Sequence, residues 1–268
     1  MGLFSRNFDR PGPGVPKDAP QKKGFARFFE ILMRDFSTIW RASLLLTVCC
    51  IPLGLVVSFG WVYRQYLGML AITAVLYMVA ALLVGPALCA GHAVMFKAVR
   101  DIPGYFWHDY KKAWKSCWRQ AAPVSALFCA LAAMECISLG MFFTVEEKPS
   151  AFFLGFIVLG MLLVVGIWLM VLVQIVYLDM GVFPMVKNAL LLFFGKAKRV
   201  LPATLIILAA FFLAAAVFSP LLDQLLILLG VPGMIMLIAD MWVWPVLDEV
   251  FNISQLQAEK QKQEEGNG

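Results

Sequence analysis

Six long apolar runs, separated by polar connections, constrain the fold of this chain more than any other feature. A transmembrane helix needs about 20 predominantly apolar residues to cross a hydrocarbon core roughly 30 Å thick. All six runs reach or approach that length. They cover residues 42–60, 67–96, 121–143, 151–178, 201–219 and 224–246. The pattern predicts an all-α integral membrane protein with six transmembrane helices in three hairpins.

Composition agrees with this interpretation. Hydrophobic residues make up 62% of the 268-residue chain and charged residues only 15%. Ordinary soluble domains contain about one half apolar and one quarter charged residues. We predict a membrane domain over residues 25–250. It is flanked by an irregular cytoplasmic segment, 1–24, rich in Pro, Gly and charge, and by a polar cytoplasmic tail, 251–268.

The positions of Lys and Arg predict the orientation. Of the 22 Lys and Arg residues, 20 lie in the N-terminal 41 residues, in 97–119, in 179–199 or in the C-terminal tail. The alternate connections hold only Arg64 and Lys148. Because cytoplasmic loops carry the excess of positive residues, we expect both termini to be cytoplasmic. Anionic lipid then accounts for the net charge of +5. No nucleic-acid partner is needed to explain it.

Two stretches beside the membrane have the pattern of amphipathic interfacial helices. The first is "FARFFEILMRDFSTIWR", residues 25–41, with Phe and Trp on one predicted face. The second, "FWHDYKKAWKSCWRQ", spans 106–120. Its aromatic residues at helical spacing are Trp107, Tyr110, Trp114 and Trp118, and its Lys residues are Lys111, Lys112 and Lys115. Such a face suits the lipid headgroup boundary. Docking to a cytoplasmic partner is the alternative.

Four polar residues interrupt the apolar runs. The predicted topology places His92, Gln174 and Asp240 at similar depth in the cytoplasmic half of three different helices. Glu135 lies alone, nearer the external half. Ionisable groups inside a membrane are candidates for function. The three-residue cluster is either a hydrogen-bonded packing element or a protonatable site coupled to transport.

Two predicted spans also contain Pro-Gly pairs. Gly85-Pro86 falls in the second run and Pro232-Gly233 in the sixth. Proline removes a backbone hydrogen bond and kinks a helix. Interrupted helices frame substrate sites in some transporters, whereas in most membrane helices such kinks are structural.

Catalytic and metal-binding patterns are missing from the sequence. It contains no GxSxG, HExxH, Walker or GxGxxG motif, and only two histidines. The six cysteines have no CxxC spacing, which argues against zinc. We therefore predict that the chain is not an enzyme and has no cofactor and no metal site.

Several stretches resemble the YesL family, bacterial membrane proteins built on domain of unknown function 624. They are "RPGPGVPKDAP", "RFFEI", "GPALCAG", "FWHDYKKAWK" and "MVKNALLLFFG", in this order along the chain. One departure is "RASLLL" at the first span, where the family usually has an Asn. The resemblance implies a bacterial cytoplasmic membrane protein associated with carbohydrate uptake, with sugar-transporter subunits as candidate partners. It implies no reaction and no catalytic residue.

Together these observations favour a non-enzymatic accessory or regulatory membrane protein linked to sugar uptake. The alternative is a small-solute secondary transporter. In that case His92, Gln174 and Asp240 would line a vestibule in the cytoplasmic half.

Overall fold

The computed structural model describes residues 24–63, 65–144, 150–178, 180–216, 226–227, 229–253 and 255. These residues form seven long helices, and no strand occurs among them. In chain order the helices are α1 (Phe25–Val62), α2 (Leu67–Val99), α3 (Phe106–Thr144), α4 (Ala151–Tyr177), α5 (Val182–Gly195), α6 (Ala197–Ala216) and α7 (Val231–Phe251). The expected all-α class is confirmed.

Four helices, α1 to α4, are long and apolar enough to cross a membrane. This is consistent with a membrane protein. Helices α6 and α7 lie over the other two predicted spans, 201–219 and 224–246, although parts of both spans fall outside the described residues. The two terminal segments, 1–23 and 256–268, also lie outside them.

The two amphipathic stretches join the spans that follow them in different ways. In α3 the second stretch, 106–120, continues directly into the span as one helix. In α1 the helix is interrupted inside the first stretch at Asp35, where φ is −112° and ψ is 22°. The residues before this kink therefore form a helical segment distinct from the one that follows it. The 39 residues of α3 correspond to a length of about 58 Å, well beyond the thickness of a bilayer.

The predicted break at Pro232 is instead the start of a helix. Gly230 has a φ of 78°, and α7 begins at Val231 with the proline in its first turn. The first N–H groups of a helix have no intrahelical acceptor, so proline there removes no hydrogen bond. Pro86, by contrast, lies inside α2, which continues through it.

The helices pack closely over only part of their length. Four segments pack closely against one another: the C-terminal halves of α2 and α4, the N-terminal half of α3, and α7. We refer to these segments together as the packed half. These segments contain most of the buried residues, including Phe96, Val124, Met170 and Leu237. The exposed half comprises the C-terminal parts of α1 and α3 and the N-terminal parts of α2 and α4. Its apolar side chains mostly face outward.

Glycines allow the backbones of the packed half to approach each other. A side chain on Gly85 of α2 would collide with the backbone carbonyl of Ala121 on α3. A Cβ on Gly91 would lie 2.7 Å from the Met236 sulfur on α7. These close approaches set the distance between α2 and its neighbours.

Candidate functional site

A histidine and an aspartate meet in the packed half, between α2 and α7. The Nδ1 atom of His92 lies 2.7 Å from Oδ1 of Asp240. The histidine is 3% exposed and the aspartate 0%. Small residues beside them, Gly91 on α2 and Ala239 on α7, allow the two helices to come close enough for this contact. Two residues 148 positions apart in the sequence thus form one buried polar pair.

Gln174 is buried at 0% exposure but does not hydrogen-bond to this pair. Its side-chain amide donates to the carbonyl of Met170, one turn earlier in α4, at 3.0 Å. Of the three residues predicted to cluster, the structure therefore joins His92 and Asp240 by a hydrogen bond and leaves Gln174 bonded to its own helix.

Two side-chain oxygens in this region have no hydrogen-bond partner among the described residues. They are Oδ2 of Asp240 and Oε1 of Gln174, and both are fully buried. A buried acceptor without a partner costs about 1–3 kcal/mol. These two oxygens therefore have hydrogen-bonding capacity that the described residues do not use.

An aromatic cluster lies directly beside the pair. Phe96, one turn after His92, stands 5.5 Å from the Tyr177 ring and 5.3 Å from the Trp244 ring, centroid to centroid. The Arg100 guanidinium lies over Trp244, 4.7 Å from its centroid. These rings separate the buried pair from the charged ends of α2 and α7. No sequence pattern predicted this aromatic cluster, although Phe96 and Trp244 follow His92 and Asp240 at a spacing of four residues.

A cavity of about 500 Å³ lies beside His92, which contributes to its wall. All six of the longest helices contribute to its wall. The lining is apolar apart from the His92 ring, the Trp168 indole and the Cys136 thiol. Such a volume is typical of pockets that bind small molecules.

An ionic contact ties the start of α1 to the end of α2. Arg27 and Arg34 both bond to the carboxylate of Asp101, and both also donate to backbone carbonyls at the C-terminus of α2. Burial opposes ionisation of Asp101, but the hydrogen bonds and charges of Arg34 and Arg27 outweigh it and lower the pKa of this carboxyl. No pattern in the sequence predicts this contact.

The aromatic residues at the start of α3 are not all on the surface. Trp107 is 52% exposed and Trp118 38%, whereas Tyr110 is 5% exposed and Trp114 half-buried. Successive rings contact each other from Phe106 to Trp118. The cationic residues Lys111, Lys112 and Lys115 are exposed. The exposed surface at the start of α3 therefore consists of Trp107, Trp118 and these three Lys residues. We call it the Trp and Lys face, and Tyr110 is not part of it.

Glu135 lies apart from these groups. It is half-buried on α3 in the exposed half, with its carboxylate against Gly160 of α4. A side chain at position 160 would occupy the space of that carboxylate. No described residue forms a hydrogen bond or ion pair with Glu135.

Within the part of the chain that the structure describes, no group of three or more His, Cys, Asp or Glu side chains is arranged to hold a metal ion. Comparisons of the chain with protein-family models, with curated proteins and with solved structures find no match. The resemblance to the YesL family therefore stays a prediction.

Proposed function

We propose that the chain is a multi-pass protein of a bacterial cytoplasmic membrane, with six spans in three hairpins and both termini in the cytoplasm. Basic residues gather at one end of the helices, where α1 and α3 begin and α2 ends, and this distribution supports the orientation. Arg27, Arg34, Lys97, Arg100 and Lys115 lie at that end of the helices. Exposed aromatic side chains of α1 there, among them Phe25 and Phe29, suit contact with lipid.

Its role is that of a non-enzymatic accessory or regulatory component associated with carbohydrate uptake. One observation carries this proposal: Trp107 and Trp118 stay exposed beside Lys111 and Lys115 at the end of a long helix. Exposed Trp residues are typical of the centres of protein interfaces. The link to carbohydrate rests on the resemblance to the YesL family alone. Anionic lipid and sugar-transporter subunits are the proposed partners.

Co-purification tests this role. The tagged protein is extracted in native lipid discs, and the proteins retained with it are identified by mass spectrometry. We expect a transporter subunit at stoichiometric amounts from the unaltered protein, and its loss from the double variant Trp107→Ala/Trp118→Ala. The matched control is Phe143→Ala/Phe152→Ala, which removes two exposed aromatic side chains from the exposed half. Equal retention by both double variants would exclude the Trp and Lys face as the partner surface.

A small-solute secondary transporter is the second candidate, and the buried His92–Asp240 pair favours it. Buried ionisable pairs are used as proton relays in membranes. The transporter function ranks second because the apolar lining of the cavity offers a sugar few hydrogen bonds. In liposomes with an internal pH dye, a proton-coupled carrier loses solute-driven proton flux in Asp240→Asn. Unchanged flux in that variant, with intact fold, would end the transporter interpretation.

A further inference from the structure

The cavity beside His92 has the wall of a site for an apolar molecule. Residues from α2, α4, α6 and α7 supply most of the lining, with Leu88, Leu169, Phe211 and Met236 among them. An apolar wall of this size favours an apolar body, because burial of hydrocarbon is worth roughly 25 cal/mol per Å².

His92 gives this wall one specific polar group. Its ring lines the cavity, and it is almost fully buried. Its Nδ1 is bound to Asp240, while Nε2 has no hydrogen-bond partner among the described residues. One imidazole nitrogen is therefore held by the protein, and the other is available.

The charge of the pair determines what that nitrogen can do. A net charge buried in an apolar site is costly, so the states without net charge are favoured. In one, a protonated His92 donates to a carboxylate. In the other, neutral Asp240 donates its proton to Nδ1, and the histidine is the Nε2–H tautomer. In both states Nε2 carries a hydrogen. The remaining neutral state has the proton on Oδ2 of Asp240, with Nδ1–H donating to Oδ1, and is disfavoured because that hydroxyl would be buried without an acceptor among the described residues.

We propose that the cavity binds an apolar molecule that presents a carbonyl oxygen to the Nε2–H group of His92. The hydrocarbon part fills the space between α4, α6 and α7, and Asp240 fixes the ring so that the donor is oriented before binding. A membrane offers two sources of this chemistry, acyl esters and hydrophobic quinones. This site does not depend on the proposed accessory role.

Photolabelling of the full-length protein in detergent micelles tests the proposal. The probe is methyl palmitate carrying a diazirine in its chain, and labelled peptides are identified by mass spectrometry. We expect labels on α4, α6 and α7 at lining residues such as Leu169 and Phe211. Unlabelled methyl palmitate and decyl-benzoquinone compete for these labels, and hexadecane competes about tenfold less, the factor expected for one hydrogen bond. The stronger of the two carbonyl competitors identifies the source.

Two sets of variants separate binding from folding. Ala210→Phe places a ring in the cavity from α6 and should abolish labelling of the lining. Its control, Ala209→Phe, adds the same ring at an exposed neighbouring position and should leave labelling unchanged. The double variant His92→Leu/Asp240→Val removes the donor without leaving an unpaired buried charge. It should reduce the preference for methyl palmitate over hexadecane from about tenfold to none.

Two results would overturn the proposal. One is equal competition by hexadecane and methyl palmitate in the unaltered protein, because His92 would then recognise no carbonyl. The other is labelling of the lining that survives in Ala210→Phe, because the probe would then lie outside the cavity.

Discussion

The packed half and the exposed half are built largely from the same helices, yet they are held together in different ways. In the packed half, glycines bring backbones into contact, and a buried polar pair joins α2 to α7. In the exposed half, a Cβ added to Gly54, Gly68, Gly140 or Gly155 would meet no atom within 4 Å, and Gly60 and Gly160 contact side chains rather than backbone. The protein thus specifies one half by internal contacts and leaves the apolar side chains of the other half to lipid or to a partner.

The largest expected effect comes from breaking the buried pair. His92→Leu leaves Asp240 without its partner, and we expect a loss of about 3 kcal/mol in the free energy of unfolding. Unfolding in mixed micelles, followed by circular dichroism, measures it. The double variant His92→Leu/Asp240→Val should recover most of the loss, since it removes both polar groups. A single variant as stable as the unaltered protein would show that the pair does not hold the packed half.

A smaller effect is expected from one methyl group at a helix contact. Gly85→Ala forces α2 away from the Ala121 carbonyl, and we expect a loss of about 2 kcal/mol in the free energy of unfolding. The matched change in the exposed half, Gly140→Ala, meets no atom and should stabilise α3 by about 0.5–1 kcal/mol. Thermal unfolding of both variants gives the comparison. The same sign of change at both positions would contradict the difference between the halves.

The smallest expected loss of stability is at the ionic contact beyond the packed half. Asp101→Asn keeps a residue that tolerates the φ of 58° at this position, but it removes the charge that binds Arg27 and Arg34. Because the carboxyl is about one-third exposed, we expect a loss of only about 1 kcal/mol at neutral pH.

This contribution has a defined pH dependence. The folded pKa of Asp101 lies below its ordinary value of 3.8, so its stabilisation is complete above that pH. It is lost as the pH falls through the lower folded pKa. The stability difference between the unaltered protein and Asp101→Asn should therefore disappear on acidification, in unfolding curves recorded from about pH 6 to about pH 2. A difference that stays constant over this range would exclude the carboxylate as its cause.

Sequence patterns predicted where the long helices lie, but not how each helix is rotated about its own axis. The apolar runs predicted the helical class and six spans, and four of the six coincide with helices long and apolar enough to cross a membrane, because length and hydropathy depend on local composition. They did not predict which side of each helix faces its neighbours, since α2 and α4 are apolar on nearly every side. The predicted topology placed His92, Gln174 and Asp240 at similar depth in the membrane. Only packing decides that Gln174 bonds to its own helix.

The ionic contact and the cavity were beyond the sequence for a different reason. The bond from Arg34 to Asp101 joins residues 67 positions apart and is made by the part of α1 that precedes its kink. The cavity is lined by six helices, none of which has a distinctive motif there. Tyr110 illustrates the same limit, since its spacing matches that of Trp114 and Trp118 while its ring lies inside the protein.

The length of α3 has a mechanical consequence. A helix of about 58 Å that crosses a core of roughly 30 Å acts as a lever, with about 28 Å of its length outside the hydrocarbon. Helices adjust to bilayer thickness by tilting. A tilt of about 10° around the midpoint of α3 displaces either end by about 5 Å, a distance similar to one helical turn. In the proposed membrane orientation, a change in bilayer thickness would therefore displace Trp107, which lies at the N-terminal end of α3.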